Sequence, residues 1–147
     1  MNTKKLDLKV IGLFRRWFLP FARLAIFVIY FWFGILKLFN LSPAGPLAQA
    51  LAVKTIGLSH YSLAFHLLAL YECVIGILFL FPKLTRIVIP LLILHMLIVC
   101  APLVLVPHLA WSRPFVPTLE GQYIIKNLAI IALAIGVAAQ TKPLKVK

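Results

Sequence analysis

Acid is what this sequence lacks. Of 147 residues only Asp7, Glu72 and Glu120 are acidic, against 15 lysines and arginines, and the formal net charge is +12. Cysteine is nearly absent too: Cys73 and Cys100 are the only two, with no C-x-x-C. On the helices assigned below they lie roughly 18 Å and roughly 10 Å from the outer surface, at about 1.5 Å per residue. That offset argues against a disulfide and against dithiol exchange, so both read as small apolar packing residues. No Ser-His-Asp arrangement can form, since Asp7 falls in a basic terminal segment. Phosphate-binding glycine loops are missing. His66, His95 and His108 lack the close spacing of metal ligands, and no metal is expected. There is no internal repeat and no low-complexity tract. A secretory signal is not expected either, because the first apolar run is too long and lacks a small-residue cleavage site. That run reads as a retained first helix.

What is present is apolar. The chain is 63% hydrophobic with a mean hydropathy of +1.06, well above the roughly half-apolar norm of soluble domains. Four stretches reach spanning length: Leu19–Phe39, Tyr61–Phe81, Ile87–Val106 and Tyr123–Ala139, against the roughly 17 to 25 residues a bilayer needs. The basic residues gather at segment ends. Lys4, Lys5, Lys9, Arg15, Arg16 and Arg23 precede or open the first span, Lys83 and Arg86 separate the second from the third, and Lys142, Lys145 and Lys147 close the chain. Positive charge marks the cytoplasmic side, which predicts both termini and the central turn there. Leu6, Val10, Leu13, Phe14, Trp17 and Phe18 interleave with the basic residues, the pattern of an amphipathic interfacial helix. Its charge then faces an anionic leaflet, so the partner is the lipid bilayer and not nucleic acid. The predicted class is all-α: an integral membrane four-helix bundle at 19–139, a basic amphipathic segment at 1–18 and a basic cytoplasmic tail at 140–147.

Helix boundaries can be placed more closely. Helix 1 is expected to open near Leu19–Pro20, where proline suits a first turn, and to end at Asn40. Ser42-Pro43-Ala44-Gly45-Pro46 is a turn signal, and Leu47–Ile56 is apolar enough for a short surface helix. Pro82-Lys83-Leu84-Thr85 predicts a tight hairpin, and Pro102 a kink or an end to the third span. Pro107–Gln122 reads as an outer loop, with Trp111 and Tyr123 as interfacial anchors. Thr118 can cap helix 4, leaving Glu120 in its first turn. Ala132-x-x-x-Gly136 and Ala134-x-x-x-Ala138 supply small faces for helix contact.

Within the spans the ionisable residues are then Lys37, His66, Glu72, His95 and Lys126. Helical side chains lean toward the N-terminus of their own helix. Lys37, near the outer end of an outward-running helix, therefore leans toward the membrane centre, while Glu72 leans outward to meet it. Lys37 is the expected partner of Glu72, with His95 at similar depth as a second. Lys126 leans toward water and is expected to meet Glu120 or the outer loop. Bland alternatives stand beside each: Lys37 and Lys126 snorkelling, His95 bonding a carbonyl, and Glu72 neutral or a structural clasp. Tyr30 and Phe33, with Gly34, share the Lys37 stripe and are candidates to line a pocket, although core packing serves the two aromatics equally. His66 and His95 differ in depth by several ångströms, which disfavours haem.

These residues resemble the DoxX-like family of small four-helix bacterial membrane proteins. The resemblance rests on Gly34-Ile35-Leu36-Lys37-Leu38-Phe39 before Ser42-Pro43-x-x-Pro46, on Glu72-Cys73-Val74-Ile75-Gly76, and on Glu120-Gly121-Gln122-Tyr123-Ile124-Ile125-Lys126-Asn127. It covers the chain from helix 1 onward and leaves out the basic N-terminal segment. Relatives of this kind are associated with the small subunit of thiosulfate:quinone oxidoreductase, with membrane complexes that recruit superoxide dismutase, and with oxidant resistance. The resemblance implies a bacterial inner membrane and carries over Lys37, Glu72, Lys126 and Asn127. The leading expectation is an accessory protein of redox metabolism or oxidant defence, binding a quinone or a membrane or periplasmic oxidoreductase, with Lys126 and Asn127 at the mouth of a pocket open to the periplasm. Its rivals are a small-solute or proton transporter using Glu72 as relay, which at four spans without a repeat would need a homo-oligomer, and a ligand-free scaffold.

Overall fold

The computed structural model describes residues 3–143; Lys145 and Lys147 lie outside them. The described elements are α1 (Thr3–Leu38), α2 (Gly45–Thr55), α3 (Tyr61–Phe79), α4 (Thr85–Cys100), α5 (Pro102–Leu105), α6 (Pro107–Ala110), β1 (Trp111–Arg113), β2 (Val116–Pro117) and α7 (Leu119–Ala139). Four segments are long and apolar enough to cross a membrane: Thr3–Leu38, Leu58–Phe79, Pro82–Leu105 and Leu119–Ala139. Their burial pattern is that of a protein dissolved in lipid. Phe21, Trp32, Leu97 and Leu128 are all more than 60% exposed, whereas Arg23, Lys37, Glu72, Thr85 and His95 are buried. Water would reverse that arrangement. The chain is a multi-pass, all-α helical bundle.

The first helix differs from expectation. It does not begin at Leu19–Pro20 but runs unbroken from Thr3, with Pro20 inside it. Proline in a helix interior removes one hydrogen bond, at a cost of roughly 3 kcal/mol. Here no turn-forming cluster accompanies it, and the residues on both sides favour helix. At about 1.5 Å per residue, α1 is about 54 Å long against a hydrocarbon core of about 30 Å. Residues 3–18 are exposed throughout, so the basic amphipathic segment is an extension of the first span rather than a separate helix.

The third span also departs from a single run. Pro102 ends α4 at Cys100 and opens the short α5, whose first turn tolerates the missing N–H. The expected loop Pro107–Gln122 contains α6 and an antiparallel ladder pairing Trp111 with Pro117 and Arg113 with Val116. Trp111 is tied into this cap, its indole N–H donating to the Leu103 carbonyl at 2.9 Å. Its ring is half-buried there. Thr118 caps α7 by accepting the Gly121 N–H at 3.1 Å.

The most extensive helix contact is α1 against α3. Two glycines allow it. A Cβ on Gly34 would stand 2.6 Å from Cys73 Sγ and 2.8 Å from the Ala69 carbonyl oxygen, and one on Gly76 would stand 2.9 Å from the Phe31 backbone nitrogen. Without side chains there, the two backbones approach closely and gain dispersion contacts, the main source of helix association in lipid. The core continues through Ile26, Ile75, Phe79, Val88, Leu92 and Val137, all fully buried. Of the small-residue pairs expected on α7, Ala134 is the buried member, while Gly136 faces the Phe18 ring.

Candidate functional site

Glu72 lies halfway along α3, on the face that Ala69, Cys73 and Gly76 turn to α1. One helical turn after the Gly34 contact, Lys37 reaches across that narrow gap. Its Nζ donates to both carboxylate oxygens of Glu72, at 2.5 and 2.6 Å. From α4, His95 Nε2 stands 2.9 Å from Glu72 Oε1. The Tyr30 hydroxyl, from α1, is 3.1 Å from His95 Nδ1. The four side chains form one line across three helices, Lys37–Glu72–His95–Tyr30, and all are buried.

One proton assignment strands no donor. With a neutral imidazole protonated at Nε2, His95 donates to Glu72 and accepts from the Tyr30 hydroxyl through Nδ1. An imidazolium would leave the tyrosine proton without an acceptor in this line. The cluster then carries one positive and one negative charge and is neutral as a whole. Such completeness is what the membrane interior demands of buried ionisable groups. Among the described residues, no buried side-chain nitrogen or oxygen is without a partner.

Other candidates fall elsewhere. Phe33 is 55% exposed and points away from the cluster. The α1 face is set by Gly34, and Phe33 lies about 100° around the helix from it. Gly34 serves the close backbone contact with α3. Lys126 is exposed and sits over the Tyr123 ring, 4.8 Å from its centroid. It meets neither Glu120 nor the β1–β2 ladder, because Tyr123 lies one turn back on its own helix and offers an electron-rich face. Asn127 is half-buried on α7, and neither residue joins the Glu72 line. His66 bonds the Ser62 carbonyl on its own helix at 2.7 Å. Both cysteines are free, and no group of three or more His, Cys, Asp or Glu side chains comes together among the described residues.

A cleft of about 460 Å³ runs beside the cluster between α2 and α3, lined by Ala52, Phe65, Leu68 and Tyr71, with Ile98 of α4. Tyr71 connects the two places. Its ring lines the cleft, its centroid is 6.1 Å from that of His95, and its hydroxyl donates to the Leu91 carbonyl at 2.8 Å. Neither Tyr30 nor Phe33, the expected lining residues, borders this cleft, which lies under α2.

Arg23 is the buried charge that sequence reasoning treated as a flank. It donates to the Phe79 carbonyl at 3.0 Å and to Thr85 Oγ1 at 2.6 Å, while Thr85 donates to the Pro82 carbonyl at 2.7 Å. Phe79 ends α3, where helical carbonyls lack intrahelical partners and the helix dipole favours a cation. A signal was present: Arg23, Tyr30 and Lys37 are spaced by seven and so share one stripe of α1.

No family model, no curated protein and no solved structure matches this chain.

Proposed function

We propose that this chain is a DoxX-like protein of the bacterial inner membrane, with both termini cytoplasmic, acting as a quinone-associated accessory subunit to an oxidoreductase in redox metabolism or oxidant defence. The observation that supports this most is the buried Lys37–Glu72–His95–Tyr30 line beside an apolar, aromatic cleft. A quinone combines a flat apolar body with two carbonyl oxygens, and its reduction consumes two electrons and two protons. The cleft suits the apolar body: Phe65, Leu68 and Ile98 form walls, and Tyr71 stands between them and His95. Electrons would come from the partner oxidoreductase. This chain's own residues would hold exchangeable protons at fixed places, on the Lys37 ammonium, on His95 Nε2 and on the Tyr30 hydroxyl, within a site that lipid keeps dry. Lys37 and His95 hold the Glu72 carboxylate between them and His95 keeps Tyr30 oriented, so the hydrogen-bond pattern is set before a ligand arrives.

The test is reconstitution into proteoliposomes with a short-chain ubiquinone or menaquinone. Saturable binding is expected, weakened by Tyr71→Ala, which opens the cleft wall, and by Glu72→Gln, which removes the charge that organises the line. Failure of both quinones to bind, with Glu72→Gln leaving a co-expressed oxidase unaffected, sinks the reading. A proton-relay transporter is the competing reading, favoured by the unbroken line of exchangeable protons. It requires proton flux in protein-only liposomes that Glu72→Gln abolishes.

A further inference from the structure

At the end of the bundle where α3 closes at Phe79, α1, the α3–α4 turn and the end of α7 border a second cleft of about 590 Å³. Its walls include Leu19, Leu24, Leu80 and Val137, and its polar side is Arg23, Gln140, Thr141 and Lys142. No acidic residue lines it. Arg23 carries five N–H donors and spends one each on Phe79 and Thr85. Among the described residues the remaining three have no protein acceptor. Arg23 lines the cleft, which is the space where its remaining donors can be met. The rim is held in place as well: Arg86 donates to the Lys142 carbonyl at 2.7 Å, clamping the chain after α7 onto the start of α4.

We propose that this cleft binds an anionic phospholipid, its phosphate received by Arg23 and Lys142 and its acyl chain laid along Leu24 and Leu80. Three observations converge. The cation is buried on one side and donor-rich on the other, and a guanidinium matches phosphate geometry. The pocket is mostly apolar with one polar side, as a headgroup joined to a longer chain requires. It lies where basic residues accumulate at this end of the bundle, beside Lys83 and Arg86, and basic pockets between spanning helices are suited to anionic headgroups. Two cations with no local acid favour a net-negative lipid over a zwitterionic one. A bound lipid would bridge α1 and α7, whose direct packing is slight beside that of α1 with α3.

The experiment is native mass spectrometry of the full chain released from micelles containing dioleoylphosphatidylglycerol or dioleoylphosphatidylcholine. Wild type should retain one phosphatidylglycerol in preference to phosphatidylcholine, by about fivefold or more per engaged cation. Lys142→Glu, on the exposed rim, should remove that preference without affecting folding, and Arg23→Gln should do the same where it folds. Lys54→Glu, the same charge change on α2 at the far end, should leave it intact. Equal retention of both lipids overturns the proposal, as does loss of preference in Lys54→Glu equal to that in Lys142→Glu. A third arm adds inorganic phosphate: displacement of the lipid by millimolar phosphate alone would assign the site to free phosphate and overturn it too.

Discussion

The two buried cationic sites of this bundle look alike on paper and differ in kind. Lys37 and Arg23 lie on the same stripe of α1, two heptads apart, and both are 9% exposed. Lys37 meets a carboxylate, and Glu72 in turn holds His95 and Tyr30, so charge and hydrogen bonds close within the protein. Arg23 meets only neutral acceptors, a helix-terminal carbonyl and a hydroxyl. Its charge is dispersed but not cancelled. A closed pair organises a site and resists outside ions; an open cation invites one. The difference follows from position along α3, because the middle of a helix offers side chains alone, whereas its end offers spare carbonyls.

The sharpest way to break the comparison is to unpair the closed site. Glu72→Leu should cost about 3–5 kcal/mol, since it strands a buried ammonium, read as a shift in unfolding in mixed micelles. Replacing Lys37 and Glu72 together by leucine should recover most of that loss; equal damage in single and double variants would show that the pair is not a unit. Arg23→Gln should cost less, about 1.5–3 kcal/mol, because nothing of opposite charge is stranded. If Arg23→Gln proved the worse of the two, the distinction between closed and open sites would be lost. Tyr30→Phe removes only the end of the line and should cost about 1 kcal/mol, with the His95 imidazole resonances shifting in a nitrogen NMR spectrum. Smallest is Lys126→Ala, about 0.5–1 kcal/mol at most, since its ammonium rests on Tyr123 at the bundle surface. A larger effect there would mean that the outward lysine is engaged after all.

Much of this was legible in the residues. Glu72 stood out because acids are so scarce and this one sits inside a spanning run. The direction in which helical side chains lean predicts Lys37 as its neighbour, and the two do face each other. The Thr118 cap and the Pro82 turn could be read from local chemistry alone. Phe33, by contrast, could not be separated from Gly34 by spacing: the two are adjacent, and only the contact of Gly34 with Ala69 and Cys73 shows which of them turns inward. Arg23 was hidden by its place near a basic tail, where positive charge has an ordinary explanation. The continuous α1 was hidden by Pro20, which marks helix starts far more often than interiors.

What the sequence determined by itself is the solvent and the currency of the interior. An apolar composition requires lipid around the helices, and of the three acids set against 15 basic residues only Glu72 falls in the middle of a spanning run. These properties are additive over residues and need no coordinates. Only the tertiary structure decided which buried cation is cancelled and which is left open. That depends on the rotation of α1 against α3, set by the close approach at Gly34 and Gly76, and on how far Arg23 lies from the end of α3. Rotation and offset arise from packing between segments distant in sequence, where a difference of one residue turns a side chain about 100°.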